Sequence, residues 1–519
     1  MANELPADAG GEGAGRGSLR SMNRRRFLGL SAASLAVAAP LIGQGFQAAA
    51  EPATRQRLAM PPLLDTRASG RLQLTALSGQ TSILGGPPVP TAGYNAGFMG
   101  PTIVMQNGAL EVRLQNTLHE PVTAHWHGML VPGEHDGGPH RAVEPGQTWR
   151  DDMQIAQRPN TAWYHSHPHS ATARHLYAGL AGVIHQTDGR DDQRGLPSRY
   201  GIDDLTLIVQ DRRFDASGRM VYIPESIDIL NGFHGERILV NGQFDRIAAV
   251  PKGLVRLRLL NASNARIYNF HFNDRRPFHL IATDGGFLPQ PVAMTYLRMA
   301  PAERAEILVD FADGPAPILM SASGLATKIL DFAVDERAKA RITRPPAALD
   351  AETPILPQED MPTRNFTLNM GGGSMGEFAA SPQAHGGHGA TAHPLIGSGP
   401  GGELGVTMND FGINGRAYDA ARIDFQVRLG SYERWLIGGG GVGVIHPFHI
   451  HGVHFRVIST AGARPGPEDS GWKDTCLVAG QIELVVRFER PAGPSAPFMY
   501  HCHILEHEDS GMMGQFTVA

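Results

Sequence analysis

Four separate segments of this chain carry a histidine followed, two residues on, by a second one: His125-Trp126-His127, His165-Ser166-His167, His449-Ile450-His451 and His501-Cys502-His503. This spacing constrains the fold more than any other feature. In an extended strand, residues i and i+2 share a face, so each pair presents two imidazoles side by side. Adjacent imidazoles chelate a metal, and eight ring nitrogens are too many for one tetrahedral ion. They suit a multinuclear site. Two pairs lie in the first part of the chain and two in the last. A single such pair is usually surface or core decoration; four in one chain are hard to read that way.

A second donor set stands among the last two pairs: His446, Cys502, His507 and Met512. Two imidazoles, a thiolate and a weak thioether make a blue-copper electron-transfer set. Cys502 lies between His501 and His503 but points to the opposite face. One short segment would thus join a mononuclear copper to the multinuclear cluster. The counts agree, with 23 His but only 2 Cys. A disulfide-stapled scaffold is excluded, and imidazole chemistry is favoured. His119, His135, His140, His169, His175, His185, His234, His271, His279 and His454 fit neither set and read as structural. His385, His388 and His393 read as polar linker residues.

The 63 Gly and 38 Pro argue for short strands and many turns. With 45 basic and 50 acidic residues, no basic excess points to nucleic acid. Residues 1–50 read as a twin-arginine export signal, with Arg24-Arg25-Arg26-Phe27-Leu28 before an uncharged stretch and Ala48-Ala49-Ala50 at its end. The expectation is a periplasmic protein, cleaved near residue 50, that meets the twin-arginine export machinery and has no stable membrane insertion. The rest shows one pattern three times: an Asn-Gly step followed by alternating apolar and polar residues. The alternating runs are Leu110–Leu114, Leu254–Leu259 and Phe425–Leu429, after Asn107-Gly108, Asn241-Gly242 and Asn414-Gly415. Period-two alternation marks half-buried strands. Three β-sandwich units follow, at 51–195, 196–345 and 346–519, the last including a linker and a Gly/His-rich loop at 371–402.

On these motifs the chain resembles the multicopper oxidases, the family of laccases, bilirubin oxidases and bacterial copper-tolerance oxidases. The resemblance covers the whole mature chain. It implies an all-β fold of three consecutive cupredoxin-like Greek-key β-sandwich domains. It further implies four copper ions (one type-1, one type-2, two type-3), with the trinuclear cluster between the first and third domains. Carried over by motif, type-1 copper takes His446, Cys502, His507 and Met512. Type-2 takes His125 and His449; the type-3 pair takes His127, His165, His167, His451, His501 and His503. Met512 holds the family's axial position, whereas Met513 would face away on a strand. Asp136 resembles the acid beside the trinuclear cluster, and Glu508 the carboxylate that feeds protons to dioxygen. Either could instead be a loop carboxylate capping a turn.

The function so implied is an exported laccase-like oxidase. A small phenolic or aromatic reductant gives up single electrons near His507 and His446, and O2 is reduced to water. The alternative is a cuprous or other metal-ion oxidase. The copper-efflux subgroup carries a Met-rich insert, and an Asp and a Met before His446. Here Val442 and Val444 stand there, and the insert region keeps only Met370, Met375 and Met408. Soft Cu(I) seeks thioether sulfur, so organic reductants and a less obstructed type-1 site are expected. A non-catalytic cupredoxin-fold envelope protein ranks lower, because such relatives have lost ligands and every position is filled here. A copper nitrite reductase does not fit four His pairs with a Cys between two of them. Cys476 is expected to be a buried, unpaired thiol, since a bridge to Cys502 would remove a type-1 ligand.

Overall fold

The computed structural model describes residues 55–322, 326–349, 357–358, 360–370, 411–440 and 444–519. Residues 1–50, read above as an export signal, residues 371–402, read above as a Gly/His-rich loop, and Val442 and Met408 lie outside the described residues. Among those described, alternation becomes strand as expected. In Arg71–Thr81, Leu72, Leu74 and Ala76 turn inward while Arg71 and Gln73 face out. Gly108–Asn116 does the same with Leu110, Val112 and Leu114.

The described strands form six sheets, two to a sandwich. Each sandwich closes over its own core, centred on Leu74, Val112 and Trp126 in the first, Leu207, Leu257 and Phe270 in the second, and Trp435, Phe448 and Phe516 in the third. The fold is therefore the expected all-β one, three consecutive cupredoxin-like sandwiches. Each contains a parallel pair that includes its first long strand, registered at Leu72↔Val112, Leu205↔Leu257 and Phe366↔Ile437. A tight hairpin cannot join parallel strands, so the chain crosses between sheets, as in a Greek key.

The threefold echo is only partly structural. Asn241-Gly242 and Asn414-Gly415 have positive φ at both residues, 51° and 72°, then 55° and 72°, as a type I′ hairpin requires. Asn107-Gly108 instead joins strands of different sheets. The runs at 110–114 and 254–259 are equivalent strands, each the parallel partner of its sandwich's first long strand. The third run is not: Phe425–Val427 pairs with Met513–Val518, and Tyr432–Gly440 takes the equivalent place.

In the third sandwich, strand His446–Ile450 lies between Thr475–Val478 and Phe498–Cys502. The register sets Phe448 opposite both Cys476 and Cys502, and His449 opposite both Thr475 and His501. Opposed residues share a face. His446, Phe448 and Cys502 therefore line the core side, while His449, His451, His501 and His503 line the other. Among the described residues no helix is long and apolar enough to cross a membrane.

Candidate metal centre

All four His pairs straddle the end of an extended segment. His165, His449 and His501 sit within strands, and their partners His167, His451 and His503 lie just beyond. His125 is held by an isolated bridge, giving its N–H to the His165 carbonyl at 2.9 Å and receiving one back at 3.2 Å. Within pairs, ring centroids are 5.6, 5.6, 5.0 and 5.4 Å apart, so period two does put both rings on one side. Between sandwiches the rings stack: His125 on His451 at 3.9 Å, and His127 on His449 at 3.6 Å. The eight imidazoles form one buried cluster where the first sandwich meets the third.

Outer partners fix which ring nitrogen faces inward. His125 Nδ1 donates to the Asp136 carbonyl at 3.0 Å, His449 Nδ1 to the Asp474 carbonyl at 2.8 Å, and His451 Nδ1 to the Asp136 carboxylate at 2.7 Å. His165 and His501 donate Nδ1–H to the Ser166 and Cys502 carbonyls, at 3.1 and 3.0 Å. Their Nε2 atoms turn inward, and those of His125, His165 and His449 are buried without a hydrogen-bond partner. Three further Nε2 atoms converge, with that of His501 3.4 Å from His167 and 3.2 Å from His451. Rings whose protons are committed outward can meet there only as opposed lone pairs, an arrangement a cation relieves. Burial holds His127, His165, His167, His449, His451 and His503 well below the usual imidazole range, reinforced for most by neighbouring rings. Neutral, buried, inward-facing nitrogens are the donor set that copper needs.

On the core side, His446 Nδ1 lies 3.4 Å and His507 Nδ1 3.7 Å from Cys502 Sγ, and the two nitrogens are 3.3 Å apart. Burial pushes the Cys502 thiol up, so a thiolate there calls for a cation. Met512 is fully buried in the same core, and its carbonyl accepts the Cys502 N–H. Met513 is instead registered opposite His501, on the other face. Both cysteines are buried and free, as expected. The type-1 site, expected to be less obstructed, is covered among the described residues. His507 is fully buried, donates Nε2–H to the Leu230 carbonyl at 3.0 Å, and is stacked by Phe411 at 4.8 Å. His446 is only 3% exposed.

Asp136 and Glu508 both reach the cluster. Asp136 binds two rings, by carbonyl and by carboxylate. Glu508, fully buried, has its oxygens 3.3 Å from His167 Nδ1 and 3.1 Å from His501 Nδ1. Sequence reasoning missed Asp474. Its carboxylate lies 3.1 Å from His127 Nε2 and is gripped by Arg304 of the second sandwich at 2.7 and 2.5 Å. No spacing rule marks either residue, because they meet only through the fold.

Family models described as multicopper oxidase match residues 75–189, 161–337 and 401–519. The cell division protein FtsP of Dickeya dadantii is 35% identical over 502 residues, spanning 96% of this chain and 98% of that protein. FtsP of Sodalis glossinidius is 36% identical over 506 residues, with 96% and 98% covered. Among solved structures, a bacterial laccase-like multicopper oxidase, CueO from Ochrobactrum sp., superposes with a TM-score of 0.78 at 36% identity, covering 89% of this chain and all (100%) of that one. A multicopper oxidase from Campylobacter jejuni, titled a metallo-oxidase, gives 0.73 at 27%, with 89% and 95% covered. The expected laccase-like role, with phenolic or cuprous reductants, is corrected here. Curated relatives matching nearly the whole chain are named for cell division.

Proposed function

This chain belongs to the multicopper oxidase family, and on that premise we propose that it is a copper-holding protein of bacterial cell division. The carrying observation is the match, at 35% and 36% identity over almost the full length, to relatives named cell division protein FtsP. The arginine-led N-terminus supports a periplasmic place of work, reached by the twin-arginine route. The inward ring nitrogens support the copper. His446, Cys502, His507 and Met512 would hold a type-1 ion, and His125 with His449 a type-2 ion. His127, His165, His167, His451, His501 and His503 would hold a type-3 pair.

Bound copper supplies one-electron oxidoreduction, the chemistry of the family. The chain's own residues prepare the place for it. Asp136 orients His125 and His451 from outside the cluster. Glu508 can hold a proton beside His167 and His501. The Leu230 carbonyl keeps the His507 proton on Nε2 and its lone pair turned toward Cys502.

Deleting the gene in its host and imaging cell length tests the division role. Long or chained cells, restored by the intact gene, are expected; unchanged division overturns it. Metal analysis of the exported protein should give about four copper ions per chain. A value near zero overturns the copper half alone and leaves a scaffold.

A further inference from the structure

We propose that Asp474, clamped by Arg304, is a positioning residue that fixes the tautomer of His127, so that the ligand-free middle sandwich helps to build the metal centre. The inference rests on the copper reading above. Its starting point is an inversion. His125, His165, His449, His451 and His501 all commit Nδ1 outward. His127 does the reverse: Nε2 meets Asp474 Oδ1 at 3.1 Å and Thr475 Oγ1 at 3.2 Å, and its buried Nδ1 has no partner. A carboxylate can only accept, so Asp474 holds the proton on Nε2 and leaves the Nδ1 lone pair facing the cluster.

Asp474 is itself held from the middle sandwich. Arg304 grips both carboxylate oxygens, at 2.7 and 2.5 Å. Arg304 is pinned in turn: its backbone N–H donates to Asp284 Oδ1 at 2.7 Å and its Nε–H to the Thr161 carbonyl at 3.0 Å. Thr161 belongs to the strand that ends at His165. The Asp474 carbonyl also takes the His449 proton, so one residue orients two stacked rings that come from different sandwiches. Gly128 shows how closely the pair is packed. At φ +86°, a Cβ there would meet Arg304 Nη2 at 2.4 Å and Asp474 Oδ2 at 2.8 Å. The glycine that follows His127 thus leaves room for this ion pair as well as a turn.

The test compares copper-loaded wild type, Asp474→Asn, and a double variant carrying Asp474→Leu with Arg304→Met. The double variant guards against misfolding, since removing both buried charges is far milder than orphaning one. Copper affinity is measured by chelator competition, and the type-1 and cluster ions are followed separately by absorption and electron paramagnetic resonance. Cluster affinity should fall about 10–100-fold in both variants, with an altered cluster signal and unchanged blue type-1 absorption. Wild-type cluster affinity and spectrum in either folded variant would overturn the positioning role alone. A wild-type protein that takes up no copper overturns the copper reading and this inference together.

Discussion

Cys502 works on one face of a strand whose other face belongs to its neighbours. Its sulfur sits among His446 and His507, while His501 and His503 join the cluster behind it. Only backbone separates the two donor sets, so the sites can be dissected one atom at a time. Cys502→Ser should abolish the blue absorption and lower bound copper by about one ion per chain, because a hydroxyl is a poor substitute for a soft thiolate. The cluster signal should survive; its disappearance would mean that the two sets are not separable. These residues were legible because the strand period is a local property. Asp474 was not. Its ion-pair partner Arg304 is 170 positions away, and nothing in Lys473-Asp474-Thr475 reveals what it will meet.

The elements that carry no ligand decide how the type-1 site meets its surroundings. The short helix Ser226–Asn231 supplies the carbonyl that covers His507. A capping box between Glu225 and Asp228 stabilises its start, and Asp228 also takes a two-pronged contact from Arg213 at 3.1 and 2.8 Å. Asp228→Ala removes box and contact together, loosening the helix by about 1 kcal/mol. Anaerobic stopped-flow bleaching of the blue absorption by a small reductant should then quicken several-fold, at an unchanged spectrum. An unaltered rate would show that the helix is no barrier. None of this cover was visible in the sequence, where Ser226–Asn231 has no unusual composition and its role depends on docking against another sandwich. The strands were easier, since alternation reports burial directly. Even so, the third echo settled on the wrong strand, because turn chemistry repeats more readily than topology.

As a whole, the molecule encloses an unusual number of imidazoles at the junction of its sandwiches, and this makes acid its weak side. His454 shows the sign without itself being a candidate ligand. It is buried, with Nε2–H donating to the Gly128 carbonyl at 3.2 Å and Nδ1 accepting from Arg158 at 3.2 Å. Burial first, and then the Arg158 charge, hold it down to about 3. The unfolded chain titrates near the ordinary value of 6.5. The folded state therefore favours the neutral form. That stability is fully present above 6.5 and drains away as pH falls toward 3, by at most about 1.4 kcal/mol per pH unit. In copper-free protein His446, held down by burial to about 4, and His507, held to about 3, act in the same direction. Calorimetry of the copper-free protein should show Tm falling as pH goes from 7 to 5. His454→Gln, which can still donate to Gly128 and accept from Arg158, should flatten that slope by about one proton. Parallel slopes in the two proteins would mean that His454 is charged in the folded state, against the environment its neighbours create.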